Sequence, residues 1–241
     1  MNKMWTDAFD RVVAIRFTGY RSEREPSLLA EFARVGLEDA AVRWTFPTPY
    51  TIRFGNSIVY TEGPGNFDET YAIYSELKVA LALGMERILV LEDDVRFLLD
   101  TDMIRQSLEG IPSDFVDAKL SWIRRGGPVE ASALRGRGLW VPTTGVVTRD
   151  TGAIAFSREG MEWFTGCIED TLSVGGPPMR SCDLYDRPPF YKEDGARHYL
   201  AVPLVARQVQ FGGRMSRISL DRYYSENSCM APGGGAAYAG R

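Results

Sequence analysis

Histidine is almost missing from this chain of 241 residues, where His198 stands alone. One imidazole and three widely spaced cysteines, Cys167, Cys182 and Cys229, do not make a Cys/His zinc set, and an odd thiol count gives no disulfide framework. Reduced thiols in a cytoplasmic protein are the expectation. Long apolar runs are missing as well, since none approaches the roughly 20 residues that cross a bilayer. The opening MNKMWTDAFDRVVAIRF has no apolar core followed by a small-residue cleavage site. No integral membrane segment is expected. There is no cationic excess either. With 28 Lys and Arg against 32 Asp and Glu, the net charge is −4 and nothing draws the chain generally toward polyphosphates, so nucleic acid is not an expected partner.

Several catalytic signatures are also lacking. No GxxxxGK[ST] phosphate loop occurs and no GxGxxG opens a helix after the first strand, which argues against nucleotide hydrolysis and dinucleotide redox chemistry. The acidic run EDDVR has no Asp-x-Asp with a nearby Thr of the phosphatase type. No GxSxG is present, so a Ser-His triad would depend on His198 alone.

The chain does carry the material of an α/β domain. A hydrophobic fraction of 44% suffices for a sizeable core. RVVAIRF (11–17) reads as a buried strand, and REPSLLAEFARVGL as a helix with Leu28, Leu29, Phe32 and Val35 on one side, Pro26 in its first turn and Gly36 at its stop. AVRWTF (41–46) reads as a second strand, completing a short strand-helix-strand unit that favours a parallel crossover. A hairpin is expected around Gly55 and Asn56, then a helix with Phe67, Tyr71, Tyr74, Leu77 and Leu81 on one side, ended by Gly84. Further on, TDMIRQSLEGI predicts a short helix capped by Thr101, FVDAKLSWI a strand, and 124–144 a loop over a site. TGAIAFSREGMEWF predicts a strand and a helix from about Arg158, and HYLAVPLVARQVQF a late strand broken at Pro203. Residues 1–228 are expected to form one domain and 229–241 a flexible tail.

One stretch stands apart. In MERILVLEDDVRF the apolar run Ile88–Leu91 leads straight into Glu92, Asp93 and Asp94. Adjacent carboxylates repel one another and lose hydration where the apolar run points, and a bound cation relieves both costs. The preceding helix and tight turn put the cluster at the carboxyl end of a sheet strand, where open α/β sheets bind ligands. The bland alternative is a solvated turn. The sharper one is a hard-cation site, in which Mg²⁺ or Mn²⁺ takes one or two carboxylates and fills its other positions with water and phosphate oxygens. With the other diphosphate chemistries disfavoured by their missing motifs, transfer of a sugar from a nucleotide diphosphate remains.

The run LKVALALGMERILVLEDDVRF resembles the signature of glycosyltransferase family 25, the lipooligosaccharide and collagen-type galactosyltransferases. FDRVVAIRFTGYRSER, IPSDFVDAKLSWI, TGAIAFSREGMEWF and HYLAVPLVARQ resemble further pieces of that family in the same order, together spanning roughly residues 9 to 210. The resemblance implies a GT-A glycosyltransferase fold with a mixed, mostly parallel central sheet flanked by helices. It implies a UDP-sugar donor, Mn²⁺ or Mg²⁺ as cofactor, and a glycan or other hydroxyl as acceptor. Asp94 is then the main metal contact, with Glu92 near the metal or the ribose and Asp93 facing the sugar. Gln208 and His198 are candidates for a further metal ligand by position, with a structural role as the alternative for the histidine. Arg21 and Arg24 match the family's Arg-rich turn, where guanidinium forks suit diphosphate or uracil oxygens; the alternative is a surface pair flanking Glu23. Ser75 is kept, while Glu76 stands where the family commonly carries His and Arg16 where its first strand usually carries Asn.

The activity implied is an inverting hexosyl transfer, galactose or glucose, which needs a general base near the acceptor hydroxyl. Asp183 is the first choice by its place in SCDLYDRPPF and Asp186 the second, with turn capping as the alternative for both. Trp122, Trp140, Trp163, Tyr185, Phe190 and Tyr191 offer faces on which sugars stack, and Trp140 is the best acceptor candidate among them, core packing being the alternative. Two other functions fit the same acids: a nucleotide-sugar-binding module without turnover, and a metal-dependent phosphoryl or nucleotidyl transferase.

Overall fold

The computed structural model describes residues 3–16, 21–38, 42–45, 51–54, 57–60, 66–124, 139–142, 148–149, 152–173 and 197–209. In chain order its elements begin with α1 (Lys3–Ala8), β1 (Arg11–Ile15), α2 (Arg21–Arg34), β2 (Val42–Thr45), β3 (Thr51–Phe54) and β4 (Ser57–Tyr60). The middle of the chain forms α3 (Asn66–Ala82), β5 (Arg87–Glu92), β6 (Val95–Phe97), α4 (Thr101–Glu109), β7 (Asp117–Lys119) and β8 (Ile123–Arg124). The last third forms β9 (Trp140–Pro142), β10 (Thr148–Arg149), β11 (Ala153–Ser157), α5 (Arg158–Ser173), β12 (His198–Ala201) and β13 (Ala206–Gln208).

Unbroken aliphatic runs such as RVVAI and RILVL suit strands covered on both faces. Their partners form a seven-stranded sheet in the order β2-β1-β5-β11-β7-β12-β9. β1 pairs in parallel with β2 and β5, β12 pairs in parallel with β7, and only β11 and β9 run against the rest. The sheet is thus mixed and mostly parallel, with helices on both faces, as expected from the sequence.

Side chains alternate between the two faces. Leu89, Leu91, Ala153 and Ala155 pack with Trp5 of α1, Leu28 and Phe32 of α2, and Ile104 and Leu108 of α4. Ile88, Val90, Ile154 and Phe156 pack with Tyr71, Ile73 and Leu77 of α3 and Met161, Phe164 and Ile168 of α5. Each fully buried Leu, Ile, Val, Phe or Met side chain among them contributes about 1.5–3 kcal/mol. Because every strand of the centre is covered twice, its ends are the places left for ligands.

Two glycines set the approach to those ends. Gly36 and Gly84 have φ of 69° and 72°, and both close their helices with paired backbone bonds. Gly36 N donates to Ala33 O and Leu37 N to Phe32 O, while Gly84 N donates to Leu81 O and Met85 N to Ala80 O. The second closure turns α3 directly into β5.

Four expectations shift. Pro26 lies inside α2 because the helix begins a turn earlier, at Arg21, where Arg24 and Glu25 gain partners from neighbouring elements. The cap of α4 is Asp100, whose carboxylate accepts from Met103 N at 2.8 Å, so Thr101 is the first helical residue. The FVDAKLSWI strand is split into the short β7 and β8. Trp140–Pro142, expected in a loop, form the edge strand β9 beside β12. The hairpin around Gly55 and Asn56 is formed by β3 and β4, with Phe54 opposite Ser57. Residues 125–138 of the expected loop and the tail 229–241 lie outside the described residues. Among the described residues no helix is long and apolar enough to cross a membrane.

Candidate active site

The acidic run occupies the link between β5 and β6, at the carboxyl edge of the sheet. Glu92 ends β5 opposite Ile15 of β1, and its N–H donates to Gly152 O at 3.0 Å. Asp93 and Asp94 form the turn, and Val95 opens β6. The carboxylates are not a solvated turn: Glu92, Asp93 and Asp94 are 6%, 2% and 5% exposed. Burying three adjacent acids is costly unless cations or donors surround them.

Arg24 of α2 supplies one such cation, with Nη1 at 2.5 Å from Asp93 Oδ1 and 3.8 Å from Asp94 Oδ2. The amide of Gln208 supplies a donor, its Nε2 bonding to Glu92 Oε2. Gln208 reaches this point because β13 pairs antiparallel with β6, Gln208 lying opposite Val95, and Val209 N donates to Asp94 O at 2.7 Å. On the other flank Arg16 follows β1, bonds through its N–H to Thr45 O, pairs with Glu25 of α2 and lies 5.0 Å over the Trp44 ring. A buried guanidinium, a half-buried indole and an acidic turn therefore share one edge of the sheet.

The structure thus brings together Arg16, Arg24, Glu92, Asp93, Asp94 and Gln208. It does not bring His198 to them. His198 lies opposite Asp117, which lies opposite Phe156, itself opposite Ile88 at the other end of β5. From there to Glu92 is about 13 Å along the strands and about 14 Å across three of them. His198 Nδ1 instead sits 2.7 Å from Asp117 Oδ2, both residues buried, with Trp163 edge-on to the imidazole. This is the structural role for a lone histidine, at the amino edge of the sheet.

Trp140 and Trp122 are core residues rather than an acceptor platform. Trp140 is 6% exposed and donates its indole N–H to Ser107 O, and Trp122 is wholly buried and donates to Ala201 O. Ser75 is half-buried on α3, and Glu76 beside it pairs with Arg43 Nε at 2.6 Å. That bond, and the charge behind it, pushes the Arg43 pKa further above its ordinary value. Arg21 begins α2, and its side chain lies outside the described residues, as do Asp183, Asp186, Tyr185, Phe190 and Tyr191.

Three further contributors, Trp44, Glu31 and Arg34, are not among the site residues read from the sequence. Trp44 belongs to no motif. Glu31 and Arg34 follow Arg24 at helical spacing, a usable signal, and Glu31 grips the strand behind the acidic turn.

Among the described residues no three His, Cys, Asp or Glu side chains converge as a metal cage. The donors present suit a hard cation bound through one or two carboxylates, with the remaining positions completed by water and a ligand's oxygens. Arg24 lies nearest Asp93, at 2.5 Å against 3.8 Å for Asp94, and Glu92 is held by the neutral Gln208 amide, so Glu92 and Asp94 are the carboxylates less tightly paired to a cation and suit that role.

No protein-family model and no curated protein matches this sequence. Solved structures of similar course include a glycosyltransferase involved in the glycosylation of the major capsid of PBCV-1, 10% identical over 89% of this chain and 98% of that one, TM-score 0.49. Mouse xyloside xylosyltransferase 1 in its apo form is 8% identical over 86% and 99%, TM-score 0.43. Galactosyltransferase LgtC in complex with donor and acceptor sugar analogs is 10% identical over 89% and 94%, TM-score 0.39. At such scores they assign neither activity nor ligand to this chain.

Proposed function

We propose that this chain is a glycosyltransferase of the GT-A type, related to family 25, that moves a hexose from a UDP-sugar to an acceptor hydroxyl with Mn²⁺ or Mg²⁺ at the Glu92–Asp94 turn. The observation that carries the reading is the burial of three consecutive carboxylates at the carboxyl edge of a mostly parallel sheet, beside Arg16 and Arg24. Such an edge is where sheets of this kind bind ligands. A divalent cation there supplies neutralisation of the charge that develops on a departing diphosphate.

The chain's own residues do the rest. Asp94 and Glu92 offer the oxygens, and Gln208 orients the Glu92 carboxylate through its amide. Arg24 offsets the charge of Asp93, and its guanidinium fork is the chemistry that suits the diphosphate oxygens of the donor. Arg16 and Trp44 form a flat cationic and aromatic wall at the ends of β1 and β2, suited to a planar base. The acceptor base is assigned by resemblance alone to Asp183, with Asp186 second.

Incubation with UDP-galactose or UDP-glucose and Mn²⁺ tests the proposal. Slow UDP release that falls at least 100-fold in Asp94→Asn, with the variant's melting temperature kept, supports it. UDP binding without release from either donor favours a binding module. Release of phosphate or pyrophosphate with no sugar transferred favours the phosphoryl or nucleotidyl transferase. Either of these results removes the glycosyltransferase reading.

A further inference from the structure

Beneath the acidic turn lies an ionic cluster around the buried Glu31 that the proposed reaction does not touch. Glu31, on α2 and 3% exposed, accepts from Phe97 N at 2.8 Å through Oε1. The same oxygen accepts from Arg34 Nη2 at 2.6 Å, and Oε2 accepts from Arg34 Nε at 3.1 Å and Arg96 Nη1 at 3.4 Å. Arg34 also donates to Phe97 O at 2.7 Å and Leu99 O at 3.4 Å, and Arg96 to Ser27 O at 2.9 Å. The cluster holds the backbone of β6 on the side away from β13.

β6 is three residues long and begins directly after Asp94. Its outer edge is held by the ladder to β13, which also delivers Gln208, and its inner side by Glu31. Arg24 and Glu31 are seven residues apart on α2, two helical turns, and so lie on one face. That face grips the acidic segment twice, at Asp93 and at Phe97. Arg34 and Arg96 are 36% and 24% exposed, so their ion pairs with Glu31 add little to stability by themselves. A charged clamp on a strand's backbone supplies position instead, which matters where sub-ångström placement of metal oxygens decides affinity.

We infer that Glu31, with Arg34, is a positioning residue that fixes the Glu92–Asp94 turn in the geometry that takes a divalent cation. The inference rests on the glycosyltransferase reading, since it presumes a cation at that turn.

The test compares wild type with Glu31→Gln and Arg34→Lys, the latter keeping the charge but removing the guanidinium fork at a side chain 36% exposed, so that one variant folds even if the other does not. Asp117→Asn is the control, because it weakens a buried pair at the opposite edge of the sheet. The Mn²⁺ dissociation constant is read from the free-ion electron paramagnetic resonance signal at saturating UDP, alongside each melting temperature. The expected result is Mn²⁺ affinity about tenfold weaker in Glu31→Gln and Arg34→Lys, and unchanged in Asp117→Asn even where its melting temperature falls as far. Wild-type Mn²⁺ affinity in both α2 variants, or equal weakening in the control, overturns the positioning role alone. Absence of Mn²⁺ binding by the wild type with UDP removes the functional reading and this inference with it.

Discussion

Gly160, in the first turn of α5, offers a demanding check on how the α5 face is assembled. A Cβ added there would stand 1.9 Å from Val116 O and 2.8 Å from Val116 C, both backbone atoms just before β7. That carbonyl accepts from Ser157 N at 3.1 Å and Ser157 Oγ at 3.2 Å, and Ser157 Oγ in turn accepts from Gly160 N at 3.1 Å. Ordinary contact begins near 3.4 Å, so Gly160→Ala forces helix and strand apart by about 1.5 Å and breaks this knot. Overpacking costs about 1–3 kcal/mol, and each of the hydrogen bonds lost costs about 0.5–1.5 kcal/mol. With the three bonds of the knot lost the total is about 2.5–7.5 kcal/mol, which lowers the melting temperature of a chain this long by about 5–30 °C. Gly166, six residues further along α5, meets nothing beyond its own chain neighbours and helix backbone within 4 Å of an added Cβ. The same substitution there should stabilise by about 0.5–1 kcal/mol through helix propensity. Urea unfolding followed by circular dichroism, with thermal melts, reads both. Stability of Gly160→Ala within about 1 kcal/mol of wild type, or equal damage from Gly166→Ala, would refute the packing described.

Two further outcomes are expected of particular side chains. Asp100→Ala should cost about 1 kcal/mol in urea unfolding and Thr101→Ala no more than a few tenths, because only Asp100 caps α4. Burial, then the bond to Glu169, pushes the Tyr74 pKa up to about 12. The raised value means that its protonated form supports the fold fully below the ordinary pKa near 10, and that this support is lost as pH rises toward 12. Ultraviolet titration should therefore show a tyrosine ionising near pH 12 that Tyr74→Phe lacks, and the variant should lose less stability than wild type between pH 10 and 12.

The local half of the fold is legible in the chain and the non-local half is not. Aliphatic runs, helical spacing at Leu28, Phe32 and Val35, and glycines at 36 and 84 announce their elements, because each signal lies within one element or its end. The acidic turn is visible because an apolar strand points at it. Its surroundings depend on pairings between distant segments. Gln208 meets Glu92 only through the β13–β6 ladder, and position in the sequence suggests His198 beside it without revealing that β12 starts at the far edge. Glycine-rich neighbours suggest a loop for Trp140, yet it is drawn into β9 by pairing with Ala201 and by its bond to Ser107. The off-by-one cap at Asp100 arises because Asp and Thr are both good caps and stand side by side.

A crystal of the full chain soaked in MnCl₂ and UDP, with data collected at the manganese absorption edge, tests the central claim most directly. The account predicts one strong anomalous peak within coordination distance of Asp94 and the diphosphate, with Glu92 on the same ion or its water shell. An anomalous map with no peak at this turn while UDP is bound elsewhere would contradict it.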